Sequence, residues 1–167
     1  KLDNLLNMVK KIGVCEIANH NSSEQIVISG HTKAVQELVN NSDKFSIKRA
    51  VLLNVSAPFH CSLMMPAQIK LENELKEITF SDPDLPIICN YTAIAENNPL
   101  KLKENIINQV TNKVRWKETM EYAFDKKINK VLECGSGKVL SGLFKRFSKD
   151  FNVYNIETIE DLKKFEI

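Results

Sequence analysis

The sequence predicts an α/β fold built on a parallel sheet, and three observations carry that reading. From Ser56 onward single apolar runs alternate with stretches of helical periodicity, the pattern of strands joined by crossover helices. The run Ala50-Val51-Leu52-Leu53 is continuously apolar, as a strand covered on both faces reads. The chain has 167 residues, 43% hydrophobic and 26% charged, enough for one domain with a core that needs neither disulfides nor metal.

Leu2, Leu5, Leu6 and Val9 recur at helical spacing up to Gly13, which predicts a short amphipathic helix. Val14–Ala18 and Gln25–Gly30 read as strands around the turn-rich Asn19–Ser23. Thr32 is placed to cap a helix carrying Ala34, Val35, Leu38 and Val39, and Arg49–Val55 reads as a buried strand. Residues 1–55 therefore read α-β-β-α-β, one strand short of a split β-α-β sandwich. Leu63–Ile78 reads as a helix, with Leu71, Leu75 and Ile78 in register and Pro66 in its first turn. After the proline-rich Asp82–Pro86 loop, Ile87–Tyr91 reads as a strand. Helices follow around Leu102, Ile106, Ile107 and Val110, then around Trp116, Met120 and Ala123. Val131–Cys134 is a strand that Gly135-Ser136-Gly137 turns into a helix bearing Val139, Leu140, Leu143 and Phe147; Val153–Ile156 and a helix through Leu162 and Phe165 complete the series. No repeat or low-complexity segment interrupts it.

Composition excludes several classes of function. A net charge of +2, with only Arg49, Arg115 and Arg146 as arginines among 23 basic residues, makes no nucleic-acid footprint. Cys15, Cys61, Cys89 and Cys134 lie far apart without zinc-ligand spacing, so no metal is expected, and scattered thiols suit a reducing cytoplasm. No apolar stretch approaches membrane-span length and the start has no leader pattern, so neither membrane insertion nor export is expected. The chain begins at Lys1 without methionine, which reads as a processed chain or a piece of a longer one.

The five glycines test the common motifs by subtraction. No two stand four apart, so there is no G-x-S-x-G nucleophile elbow. Gly137 and Gly142 have P-loop spacing, but Leu143 and Phe144 follow where Lys and Ser or Thr are needed. A dinucleotide fingerprint requires glycine where Leu140 stands. The Cys134–Lys138 turn admits two readings, an anion seat at a helix N-terminus or a tight strand-to-helix connection with Lys138 in solvent, and the second is the simpler. His20 and His31 fall in turns without evident partners. His60 follows Ser56-Ala57-Pro58-Phe59 at the end of an apolar run and precedes Cys61 and Ser62 at a helix start, where α/β folds carry their sites; a structural cap is the alternative.

The segment Val55–Met64 (VSAPFHCSLM), followed by Met65-Pro66-Ala67, closely resembles the histidine motif of malonyl-CoA:acyl carrier protein transacylases. Three further blocks agree in order. Asn19-His20-Asn21-Ser22 with Gln25–His31 is similar to the N-x-N-S-x-x-Q-x-V-I-S-G-H block. Gln109 with Val114-Arg115-Trp116 is similar to the glutamine and V-R-W element, and Gly135–Leu143 to G-P-G-K-V-L-S-G-L. The resemblance spans essentially all 167 residues. It implies an incomplete α/β-hydrolase-like large subdomain over residues 56–167 and most of a small ferredoxin-like subdomain over residues 1–55. It also implies transfer of malonyl from coenzyme A to a serine and then to the phosphopantetheine thiol of acyl carrier protein. Coenzyme A thioester is then substrate, and no cofactor is implied.

By the same resemblance His60 takes the role of general base, and Gln109 that of the residue whose backbone carbonyl orients it. Two departures stand out. Ser136 replaces the family's proline, and the family's G-H-S-x-G serine and its carboxylate-binding arginine have no counterpart here. The expectation is a fragment that supplies the base while a separate N-terminal half carries the nucleophile. Alone, it is expected to be inactive and to fold poorly, because edges and apolar faces are left uncovered. The alternatives are a non-catalytic module that docks acyl carrier protein or coenzyme A through lysines such as Lys138 and Lys145, and an inert remnant.

Overall fold

In the computed structural model, which describes residues 1–165, helix α1 (Leu2–Val9) turns Leu5, Leu6 and Val9 inward, as their spacing predicts. Strands β1 (Cys15–His20) and β2 (Ile26–Gly30) pair antiparallel from Cys15 opposite Gly30 to His20 opposite Ile26, with a bulge between Ile17 and Asn19. Gly30 is required at that pairing: a Cβ there would stand 2.1 Å from the Val14 carbonyl oxygen. Helix α2 (Thr32–Asn41) lays Ala34 and Leu38 against α1, and Leu5, Leu6, Val9, Cys15, Ala34 and Leu38 form one buried cluster. The cap position of α2 falls on His31, not Thr32, and no side chain caps it.

The main correction concerns Arg49–Val55. It forms no strand, and Val51, Leu52, Leu53 and Val55 are each more than half exposed. An apolar run becomes a strand only where neighbouring strands take up its amides and carbonyls, and no described residue pairs with it. The first 55 residues are thus α-β-β-α, a 3₁₀ turn (Ser42–Phe45) and then irregular chain that pairs with no described strand.

A 3₁₀ turn (Ser62–Met64) leads into α3 (Met65–Leu75), shorter than the sequence suggests, with Pro66 in the first turn where its missing N–H costs nothing. Ile87–Tyr91 shrinks to a two-residue strand, β3 (Ile87–Ile88), which pairs antiparallel with an unforeseen β4 (Ala95–Glu96). Helix α4 (Pro99–Asn108) is capped by Asn98, whose side chain accepts from the Lys101 amide at 3.1 Å. The chain then returns to the free edge of β1: the Val114 amide donates to Ala18 O at 2.8 Å, and His20 N donates to Val114 O at 2.9 Å.

The backbone divides into two compact units, Lys1–Trp116 and Lys117–Ile167. The second holds α5 (Trp116–Asp125) almost entirely, then β5 (Lys130–Cys134), α6 (Val139–Phe147), β6 (Asn152–Ile156) and α7 (Ile159–Lys164). Here β5 and β6 are parallel, joined through α6 in a β-α-β unit, and this is the only parallel strand pair among the described residues. Phe124, Phe144, Phe147 and Phe151 pack with ring centroids 5.0–6.2 Å apart, two of the contacts edge-on. Thr158 and Asp161 close a reciprocal capping box on α7. The chain is α/β, with helices and, among the described residues, three two-stranded sheets, of which β5–β6 is parallel.

Candidate active site

His60 stands in a tight turn between the exposed apolar segment and α3, and its backbone takes φ +58°. That left-handed conformation is uncommon for a residue with a side chain and costs on the order of 1–3 kcal/mol, so the surroundings must enforce it. The enforcing contacts are visible on both sides. Before it, Phe59 N donates to Ala57 O at 3.0 Å and the buried Cys61 Sγ donates to Pro58 O at 3.2 Å. After it, Cys61 is extended, and the Glu16 carboxylate of β1 takes both the Ser62 amide, at 2.9 Å, and the Ser62 hydroxyl, at 2.7 Å. Met64 N then closes on Cys61 O at 3.0 Å to begin the helical turn.

The ring of His60 lies with Nδ1 2.8 Å from the backbone carbonyl oxygen of Gln109, the cap residue at the C-terminus of α4. A carbonyl only accepts, so Nδ1 carries the proton and Nε2 of the neutral ring keeps its lone pair. The acceptor is one of the helix-end carbonyls that have no partner within their own helix. Gln109 is itself fixed by its amide, which donates to Asn105 O at 3.0 Å, with Asn105 buried. Two residues on, the Thr111 hydroxyl donates to the Gln68 side chain on α3, joining this helix end to the helix that begins after His60. His60 and Gln109, 49 residues apart in sequence, are thus in contact.

The other sequence candidates divide clearly. His31 is exposed but partnered: its Nδ1 accepts from the Val14 amide at 2.9 Å, which requires the opposite tautomer from His60. His20 is half-buried, with its amide on Val114. Burial, first of all, and then the neighbouring Cys61 and Glu16 raise the Cys15 thiol to about 11, so Cys15 is no nucleophile at neutral pH.

At the Gly135–Lys138 turn, Gly135 (φ +132°) and Gly137 (φ +84°) supply conformations that side chains resist, and the space around both is open. The anion seat is already filled from within the chain: Glu133 on β5 accepts from Leu140 N at 3.1 Å and Ser141 N at 2.8 Å. Ser141 above all, then Leu140, holds the Glu133 carboxyl below the usual carboxylate range against desolvation. Lys138 is exposed, and Ser136 donates to Glu157 at 2.9 Å. Among the described residues no group of His, Cys, Asp and Glu could hold a metal ion, and no helix is long and apolar enough to cross a membrane.

Sequence reasoning missed Glu16. It is 46 residues from Ser62, and no local pattern marks a strand glutamate that caps a distant helix.

No family profile matches the chain. It is 34% identical over 150 residues to a malonyl CoA-acyl carrier protein transacylase of Staphylococcus aureus (strain COL), covering 90% of this chain and 49% of that protein. The corresponding protein of Buchnera aphidicola subsp. Schizaphis graminum is 37% identical over 154 residues, 92% of this chain and 48% of its own. Among solved structures, an acyl-carrier-protein S-malonyltransferase from Bartonella henselae superposes with a TM-score of 0.91 at 41% identity, over 97% of this chain and 52% of that one. One from Vibrio cholerae gives 0.92 at 34%, over 98% and 53%. A malonyl-transacylase solved with a type II polyketide synthase acyl-carrier protein gives 0.91 at 32%, over 97% and 52%. The chain therefore spans about half the length of the relatives it matches.

Proposed function

Because the chain belongs by sequence and fold to the malonyl-CoA:acyl carrier protein transacylases, of which it spans about half, we propose that it is the part of such an acyltransferase that supplies the general base. The nucleophilic serine and the arginine that holds the malonyl carboxylate then reside on an N-terminal half. The substrates are malonyl-CoA and acyl carrier protein, the setting is cytoplasmic fatty acid biosynthesis, and coenzyme A is a substrate rather than a cofactor. Residues 1–55 correspond to part of the small ferredoxin-like subdomain, and residues 56–167 to the C-terminal portion of the hydrolase-like subdomain.

The observation that carries this reading is the 2.8 Å contact of His60 Nδ1 with the Gln109 carbonyl. It leaves Nε2 as the ring's only basic atom, with a fixed partner behind it, the arrangement a base needs in order to act repeatedly. In the first half-reaction Nε2 takes the serine hydroxyl proton as the oxygen attacks the malonyl thioester carbonyl. The departing coenzyme A sulfur then receives that proton. In the second, Nε2 takes the proton of the phosphopantetheine thiol, the sulfur attacks the acyl-serine, and the serine oxygen leaves with the proton. The Gln109 carbonyl takes the place of the usual triad carboxylate, holding the tautomer and facing the imidazolium when it forms.

The test is reconstitution. Assembled with the N-terminal half of a relative, the chain should transfer malonyl from malonyl-CoA to acyl carrier protein, and His60→Ala should abolish transfer while leaving binding of acyl carrier protein unchanged. Transfer that survives His60→Ala removes the base role. A docking module without turnover is the second reading, favoured by Lys138 and Lys145, which flank a hollow also lined by Ser141, Val153 and Asn155; it requires salt-sensitive binding and no His60 dependence.

A further inference from the structure

We infer that Glu16 is a positioning residue for His60, fixing the ring's protonation pattern from a neighbouring strand. The inference rests on the general-base reading above for its consequence, but on geometry for its cause. Glu16 lies on β1, paired opposite Ser29 and next to Cys15 of the buried cluster, so its backbone is anchored in the paired hairpin. Its carboxylate takes two bonds from a single residue, the amide and hydroxyl of Ser62. Ser62 is two residues after His60, and between them Cys61 is extended with its side chain tied to Pro58 O.

The path from Ser62 back to the ring is therefore short and stiff. If the Glu16–Ser62 pair is lost, the first turn before α3 loses its carboxylate cap, and the chain at His60 is free to leave φ +58° for an ordinary conformation. Such a rotation carries the imidazole away from the Gln109 carbonyl. Without that acceptor a released ring shares its proton between both nitrogens and Nε2 is no longer reserved as the base. A displacement of about 1 Å at a reacting group costs on the order of 10²-fold in rate.

The tautomer is directly observable, and the chain provides its own reference. His31 accepts from Val14 N through Nδ1 and must carry its proton on Nε2, whereas His60 must carry it on Nδ1. Long-range proton–nitrogen spectra of the full chain labelled with ¹⁵N-histidine, at a pH where the rings are neutral, should show these two opposite patterns. His60 is identified by the signal lost in His60→Gln. In Glu16→Ala the His60 pattern should become a mixture while His31, whose partner Val14 is two residues from the substitution, keeps its own. Glu16→Gln retains one acceptor oxygen and should lie between. Ser62→Ala, which removes only the hydroxyl bond, serves where Glu16→Ala unfolds β1 and both patterns collapse.

A His60 that stays protonated on Nδ1 in Glu16→Ala or Ser62→Ala overturns the positioning role. A wild-type His60 without that tautomer overturns the geometry beneath it. In the reconstituted enzyme Glu16→Ala should lower kcat 10- to 100-fold with KM little changed. Unchanged kcat in Glu16→Ala with His60→Ala inactive removes Glu16 alone, whereas an active His60→Ala removes the base reading itself.

Discussion

Two turns that lead into helices are built on the same device and left in opposite chemical states. In each, a glutamate receives amides where the helical path begins: Glu16 takes Ser62, the first residue of the 3₁₀ turn before α3, and Glu133 takes Leu140 and Ser141 in the first turn of α6. At the second turn the carboxylate comes from the strand just before it, and Gly135 and Gly137 absorb the unusual backbone angles. That junction has its anion already in place, supplied by Glu133. At the first turn the carboxylate comes from 46 residues away, the left-handed residue is His60 rather than glycine, and its ring rests on the end of another helix. Glycine would make the same turn with less strain, so the strained histidine marks where a side chain is needed.

The contrast predicts a graded set of outcomes. The largest is His60→Gly, which keeps the turn and removes the ring. In the reconstituted enzyme transfer should fall by about 10²–10⁴-fold, whereas the chain's urea midpoint should correspond to a stability within about 1 kcal/mol of wild type, relief of the left-handed strain offsetting the lost Gln109 contact. Gly135→Ala comes next and acts in the reverse sense: at φ +132° a side chain should cost about 1–2 kcal/mol in unfolding of the second unit, with the His60 tautomer untouched.

Glu133→Gln should be milder, about 1 kcal/mol at neutral pH, through a weakened helix cap. Its pH dependence has a definite sign. The folded-state carboxyl titrates below its unfolded value, so the stabilisation is complete above the ordinary carboxylate range and disappears as pH falls through the folded value. Urea midpoints of wild type and Glu133→Gln should therefore differ at pH 7 and converge in strong acid. Smallest of all, Gln109→Ala keeps the backbone carbonyl and should leave the His60 tautomer unchanged in the same proton–nitrogen spectra; a lost tautomer would assign the work to the Gln109 side chain.

Local patterns were legible in the sequence where the partners lie close along the chain. The 3.6-residue spacing of Leu2, Leu5, Leu6 and Val9 gave a real buried stripe, and Gly135-Ser136-Gly137 gave a real strand-to-helix turn. Arg49–Val55 misled because strand formation depends on hydrogen-bond partners that the run itself does not contain, and Val51, Leu52, Leu53 and Val55 are left facing outward. Ile87–Tyr91 shortened for a related reason: only Ile87 and Ile88 find a partner strand, in β4. His60 stood out by its position before a helix, but its contact with Gln109 came only through family resemblance, and Glu16 through neither. Both are long-range pairings that no periodicity encodes.

The most direct measurement is the intact mass of the purified chain after incubation with malonyl-CoA. A chain that supplies the base without the nucleophile should keep its mass unchanged, and should become necessary for acylation of the serine when the N-terminal half of a relative is added. A malonyl adduct on the chain alone, released by mild base, would show that a serine within these residues, such as Ser62 or Ser136, is itself the nucleophile, and would contradict the division of labour proposed for this chain.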